Sequence, residues 1–73
     1  MFEQFKELLI EEFQVEEDKI TLDAELSGDL GINSIDLYEL VTLCEDKFDI
    51  EIGEEDVNKF VTVGDVVNYL ETL

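Results

Sequence analysis

Asp29-Leu30-Gly31-Ile32-Asn33-Ser34-Ile35-Asp36-Leu37-Tyr38-Glu39-Leu40-Val41 is the stretch from which the rest of the chain is best read. Its first part is turn material and its second part is helix. Leu37, Leu40 and Val41, continued by Cys44 and Phe48, recur at three- and four-residue spacing, which predicts an amphipathic helix from about Ser34 to Phe48. Asn33 is a residue type whose side-chain oxygen caps helix starts, and Asp36 three positions later makes the pair a loose relative of a capping box. Gly31 can adopt a backbone conformation that other residues avoid. The helix therefore begins at or beside Ser34.

Outward from that segment the same spacing recurs. Phe2, Phe5, Leu8, Leu9 and Phe13, set among Glu3, Lys6, Glu7, Glu11 and Glu12, predict a first helix. From Val15 to Ile32 the periodicity dissolves into Asp, Ser and Gly, with Ile20, Leu22, Leu26 and Leu30 spaced to anchor a long connection onto a core. Asp49-Ile50-Glu51-Ile52-Gly53 reads as extended loop. The acids Glu54, Glu55 and Asp56 suit the positive end of a short helix, with Val57, Phe60 and Val61 facing inward. Thr62 with Asp65 forms a relaxed capping box for a last helix whose stripe is Val63, Val66, Val67, Leu70 and Leu73. The expected fold is all-α: one domain over residues 1–73, a small four-helix bundle of three main helices and one short one, with a long loop between the first and second helices.

Composition narrows what such a bundle does. Seventy-three residues with 45% hydrophobic content suffice for one core but leave a thin stability margin. Twenty-one acidic against four basic residues give a net charge of −17, which repels nucleic-acid phosphates and anionic membrane surfaces and selects partners with basic patches. The same excess is expected to make stability rise with ionic strength. A single cysteine, Cys44, and no histidine rule out an internal disulfide and a Cys/His zinc site. Without histidine the usual base for a serine or cysteine nucleophile is missing, so no catalytic residue is expected and the chain reads as a non-enzyme. The N-terminus lacks a basic stretch followed by a long apolar one, and no apolar run reaches membrane-span length, so a cytoplasmic protein without membrane insertion is expected.

Ser34 is the residue with chemistry to offer. A hydroxyl at a helix N-terminus sits among unpaired amides and the positive end of the dipole, which favour a phosphate esterified to it. The plainer reading is that Ser34 only helps to start the helix. A calcium loop starting at Asp29 would use Asn33 but requires glycine where Ser34 stands and glutamate where Leu40 stands, so no metal ligand set is expected.

The quoted string, continued through Glu45-Asp46-Lys47-Phe48-Asp49-Ile50-Glu51-Ile52, strongly resembles the acyl carrier protein family. The Asp-Leu-Gly approach to the serine, the opening helix, the long anchored loop and the Thr62-Val63 helix start extend the resemblance over nearly the whole chain. It implies that Ser34 carries phosphopantetheine, installed by a phosphopantetheinyl transferase. The thiol of that arm would hold acyl groups as thioesters for enzymes of fatty acid or polyketide-type biosynthesis. It also implies that a bound chain can fold back among the core residues. Asn33 stands where the family usually has Asp, Ile35 where it has Leu, and Gly53 where it often has Pro.

On a helical wheel Ile35, Tyr38 and Thr42 lie away from the core stripe, with Asp36, Glu39 and Asp46 between the two faces. Together with the resemblance, this marks Ile35, Asp36, Glu39 and Asp46 as a docking surface for acyl-processing enzymes with basic patches, on a carrier that is itself a monomer. Two rival classes leave Ser34 without special purpose: an acidic helical binding module for a basic partner, and a calcium-responsive helical protein.

Overall fold

The computed structural model describes residues 1–73. Four helices follow one another: α1 (Phe2–Phe13), α2 (Ser34–Phe48), the single-turn α3 (Glu54–Val57) and α4 (Val63–Glu71). A 3₁₀ turn at Glu17–Lys19 lies early in the α1–α2 connection. The predicted all-helical arrangement of three main helices, one short helix and a long loop is the observed one. The helix ends are chemically explicit. α1 closes with Gln14 in the left-handed region (φ 56°), where the Gln14 amide donates to Ile10 and the Val15 amide to Leu9. Asp49 closes α2 in the same way at φ 55°, a conformation that Asp tolerates through its short polar side chain.

The core holds 17 buried residues, every one hydrophobic, drawn from all four helices and from the long loop. Phe5, Leu8 and Leu9 come from α1; Leu40, Val41 and Cys44 from α2; Val63, Val66, Val67 and Leu70 from α4. Ile20, Ala24, Leu26 and Ile32 pin the loop over them.

Of the other residues expected in the core, Phe2, Phe13, Leu30, Leu37 and Phe48 pack against it partly buried, and three are exposed. Leu22 is exposed because it occupies a tight turn closed by the Ala24 amide on the Thr21 carbonyl, and Ala24 fills the inward position instead. Val61 is 55% exposed. Its backbone is held at the α3–α4 corner, donating to Asp65 and accepting from Leu26, which turns its side chain outward. Leu73 lies beyond the end of α4, where no neighbour covers it.

The α3–α4 corner is what positions the long loop. Leu26 donates to the Val61 carbonyl, Val63 to Ala24 and Gly64 to Leu22, each at 2.9 Å, around an antiparallel bridge between Glu25 and Thr62. Glycine at 64 is required by this approach, since a Cβ there would lie 2.9 Å from the Leu22 carbonyl oxygen. The corner itself is tied by a full capping box. The Thr62 hydroxyl accepts the Asp65 amide at 3.2 Å, and the Asp65 carboxylate accepts Val61 at 3.1 Å and Thr62 at 3.0 Å. The backbone amides of Thr62 and Val61 hold the Asp65 carboxyl below its ordinary value of 3.8. The stability this carboxylate contributes is present above that ordinary value and lost as the pH falls through the lowered folded one. Asp65→Asn is therefore expected to flatten the acid side of a melting-temperature profile relative to the wild type; an identical acid limb would show that the carboxylate contributes nothing there.

Burial pushes the Cys44 thiol from 9.0 up to about 12, with repulsion from Glu45 adding to it and the Lys47 charge opposing. A thiol reagent at about pH 8 is expected to titrate no sulfhydryl in the folded chain and one in guanidinium. Because the unfolded thiol ionises first, stability is also expected to fall as pH rises above the ordinary value of 9.0 toward 12. Prompt reaction of the native chain would place Cys44 at the surface.

Candidate functional site

α2 begins at Ser34 because Asn33, in extended conformation, turns its side-chain carbonyl onto the Asp36 amide at 2.8 Å, while its own carbonyl receives the Leu37 amide at 2.8 Å. The expected pairing of Asn33 with Asp36 is thus present as a side-chain cap. Asn33 performs the capping, which frees the Ser34 hydroxyl from that duty. The approach is set by Gly31 at φ 71°, after which Ile32 donates to Leu26 and drops into the core. Ser34 is exposed, and its amide and that of Ile35 face outward without backbone partners at the positive end of a 15-residue helix. A phosphate esterified to the Ser34 oxygen would meet those amides, so the residues fit such a group.

Ile35 is 79% exposed rather than tucked under the loop. Counting along α2, Ile35, Glu39, Thr42 and Asp46 follow one another at four-, three- and four-residue steps and form a single exposed stripe. Tyr38 flanks it, also exposed. Asp36 is half-buried and sits on the shoulder of the stripe, about 100° round from Ile35. The structure thus brings Ser34, Ile35 and Glu39 together at one end of α2, places Asp46 on the same line about 10 Å beyond Glu39, and sets Asp36 to one side. No lysine interrupts α2 between Ser34 and Asp46. Of the four lysines, Lys6 pairs with Glu17 at 3.3 Å and Lys19 with Glu16 at 3.9 Å, so part of the scarce positive charge is spent at the α1 end.

A groove of about 200 Å³ opens beside Ser34. Ser34 and Asn33 stand on its rim, and Leu26, Ile32, Leu37, Phe60 and Val61 line it. Periodicity along α2 could find Leu37 but not Leu26 or Val61, which arrive from two loops through the 2.9 Å bond between the Leu26 amide and the Val61 carbonyl. Of the groups that a calcium loop would use, the Asp29 carboxylate accepts the Glu25 amide at 2.8 Å and the Asn33 side chain caps α2. No helix is long and apolar enough to cross a membrane.

The arrangement has close counterparts. A solved structure from Mycobacterium tuberculosis, of a protein proposed to be an acyl carrier protein, superposes with a TM-score of 0.89 at 32% identity, covering 97% of this chain and 95% of that one. An acyl carrier protein of Campylobacter lari is 41% identical over 73 residues, covering all of this chain and 95% of the relative. One from Wolinella succinogenes is 42% identical over 72 residues, covering 99% and 95%. The family model described as the phosphopantetheine attachment site matches residues 3–70, from the second residue of α1 to the last core residue of α4. With fold, length and attachment-site signature in agreement from end to end, the chain belongs to the acyl carrier protein family, whose cofactor is phosphopantetheine and whose members carry acyl groups rather than transform them.

Proposed function

We propose that Ser34 is the serine that bears phosphopantetheine, and that the chain presents acyl groups from it to successive enzymes of fatty acid or polyketide-type biosynthesis. The observation that carries this reading is the exposed Ser34 hydroxyl at the open N-terminus of α2, relieved of capping by Asn33 and standing on the rim of an apolar groove. When attached, the arm supplies a terminal thiol that holds the acyl group as a thioester. The protein's own part is to orient and to dock. The first-turn amides of α2 face the phosphate position, and tethering raises the effective concentration of cargo at each docked active site.

Ile35, Glu39 and Asp46, with Asp36 on their flank, form the docking surface in this reading. Carboxylates steer a basic partner onto α2 and Ile35 supplies the apolar contact beside the arm. A net charge of −17 and the absence of lysine from α2 before Lys47 support partners with basic patches, and self-repulsion supports a monomer. A cytoplasmic setting suits its single cysteine. The test is intact mass before and after incubation with a broad-specificity phosphopantetheinyl transferase and coenzyme A. A gain of one phosphopantetheine per chain is expected. No gain with several transferases on the folded protein would favour an acidic binding module instead.

A further inference from the structure

The opening beside Ser34 is uncharged. Its polar residues are Ser27, Asn33 and Ser34, and none of its eight lining residues is ionisable, in a chain that holds 21 acidic side chains. The acids nearest to it in sequence are placed elsewhere: Asp29 accepts the Glu25 amide at 2.8 Å, and Asp36 lies half-buried on the shoulder of α2. The cap at the head of α2 is therefore neutral, although a carboxylate would serve there equally well.

The cap also fixes which way the Asn33 amide is turned. The Asp36 backbone N–H can be met only by an acceptor, so the Asn33 side-chain oxygen is the atom at 2.8 Å and its NH2 group faces away from that N–H. The two NH2 hydrogens enter none of the side-chain hydrogen bonds of the chain, and Asn33 is exposed next to Ser34. An aspartate here would have no hydrogen to donate and would set a negative charge beside the serine.

We propose that Asn33 is a positioning residue for the phosphodiester of the arm: its NH2 group donates to a non-bridging phosphate oxygen while its carbonyl keeps the cap of α2. This rests on the reading of Ser34 as the attachment residue. One amide thus joins the helix to the arm, and a hydrogen bond to a charged oxygen is about twice as strong as a neutral one. The neutral cap also leaves the positive end of α2 to the phosphate. A carboxylate at position 33 would occupy that end first and repel the arriving anion.

The test compares full-length wild type, Asn33→Asp and Asn33→Gly, each with and without the arm, with loading checked by intact mass. Asp and Gly both serve at helix N-caps, and the arm beyond the phosphate is the same in all three forms. The change in melting temperature on attachment therefore isolates position 33. It is expected to be more favourable in the wild type than in Asn33→Asp by about 2–6 °C, the size of one charge effect at a helix N-terminus in a domain of this length, with Asn33→Gly between them. In the nitrogen–proton spectrum of the wild type, one side-chain amide proton of Asn33 should move downfield on attachment while those of Asn58 and Asn68 stay. A residue that only caps α2 would shift the stability of each variant equally with and without the arm. Where one variant does not fold or does not take the arm, the other variant and the wild-type spectrum decide. Equal changes on attachment in all forms, or an Asn33 amide proton that does not move downfield, overturn the proposal while the carrier reading stands. Failure of every form, wild type included, to load overturns the carrier reading and the proposal with it.

Discussion

Ser34→Ala is expected to abolish phosphopantetheine uptake while leaving the fold intact. The hydroxyl is exposed and makes no hydrogen bond within the chain, because the cap of α2 is the Asn33 side chain on the Asp36 amide. Alanine is also the better helix former, by a few tenths of a kcal/mol, so the melting temperature should hold or rise slightly. Uptake, read by intact mass, should fall from one group per chain to none. A purely structural role gives the opposite pattern: a capping serine replaced by alanine loses about 1 kcal/mol, several degrees in a domain of this size, without touching modification. Asn33→Ala supplies the contrast, since it should show that stability loss and keep the hydroxyl.

Leu40→Ala is expected to lower the urea midpoint sharply. Leu40 is 1% exposed, on the inward face of α2 with Val41 and Cys44. Truncating a leucine so enclosed costs about 2–5 kcal/mol through lost transfer energy and the cavity left behind. A domain of this length has roughly 4–11 kcal/mol in total, so the change removes a large share of it. A urea midpoint followed by circular dichroism measures the loss. Ile35→Ala is the matched control: at 79% exposure it should change the unfolding free energy by less than about 0.5 kcal/mol. Comparable losses at the two positions would contradict the assignment of inner and outer faces on α2. Ile35→Ala should instead slow acyl-processing enzymes, because its apolar surface is available to a partner.

The two variants mark what periodicity can convey. Leu37, Leu40, Val41 and Cys44 repeat at helical spacing, and a helix presents such residues on one face whatever else the chain does. The outward set of Ile35, Tyr38 and Thr42 was legible for the same reason, as were both N-caps, since Asn33–Asp36 and Thr62–Asp65 act across three residues. Asp36 keeps the place between the faces that was expected for it, whereas Glu39 and Asp46, expected there as well, lie on the outward stripe with Ile35, because they fall only about 40° and 20° round the helix from it.

Local sequence thus determined the helices, their caps, the acidic outer face and the serine at the head of α2, all of which depend on interactions spanning a few residues. Tertiary structure alone decided which loop residues enter the core. Ala24 and Ile32 are buried while Leu22 and Val61 are exposed, because the corner at Val61–Gly64 captures the Leu22–Leu26 backbone from nearly forty residues away. It likewise decided the groove beside Ser34, whose walls come from the long loop, α2 and the α3–α4 corner. Contacts so distant in sequence leave no periodic trace, since their register is set by backbone hydrogen bonds formed only once the bundle has closed.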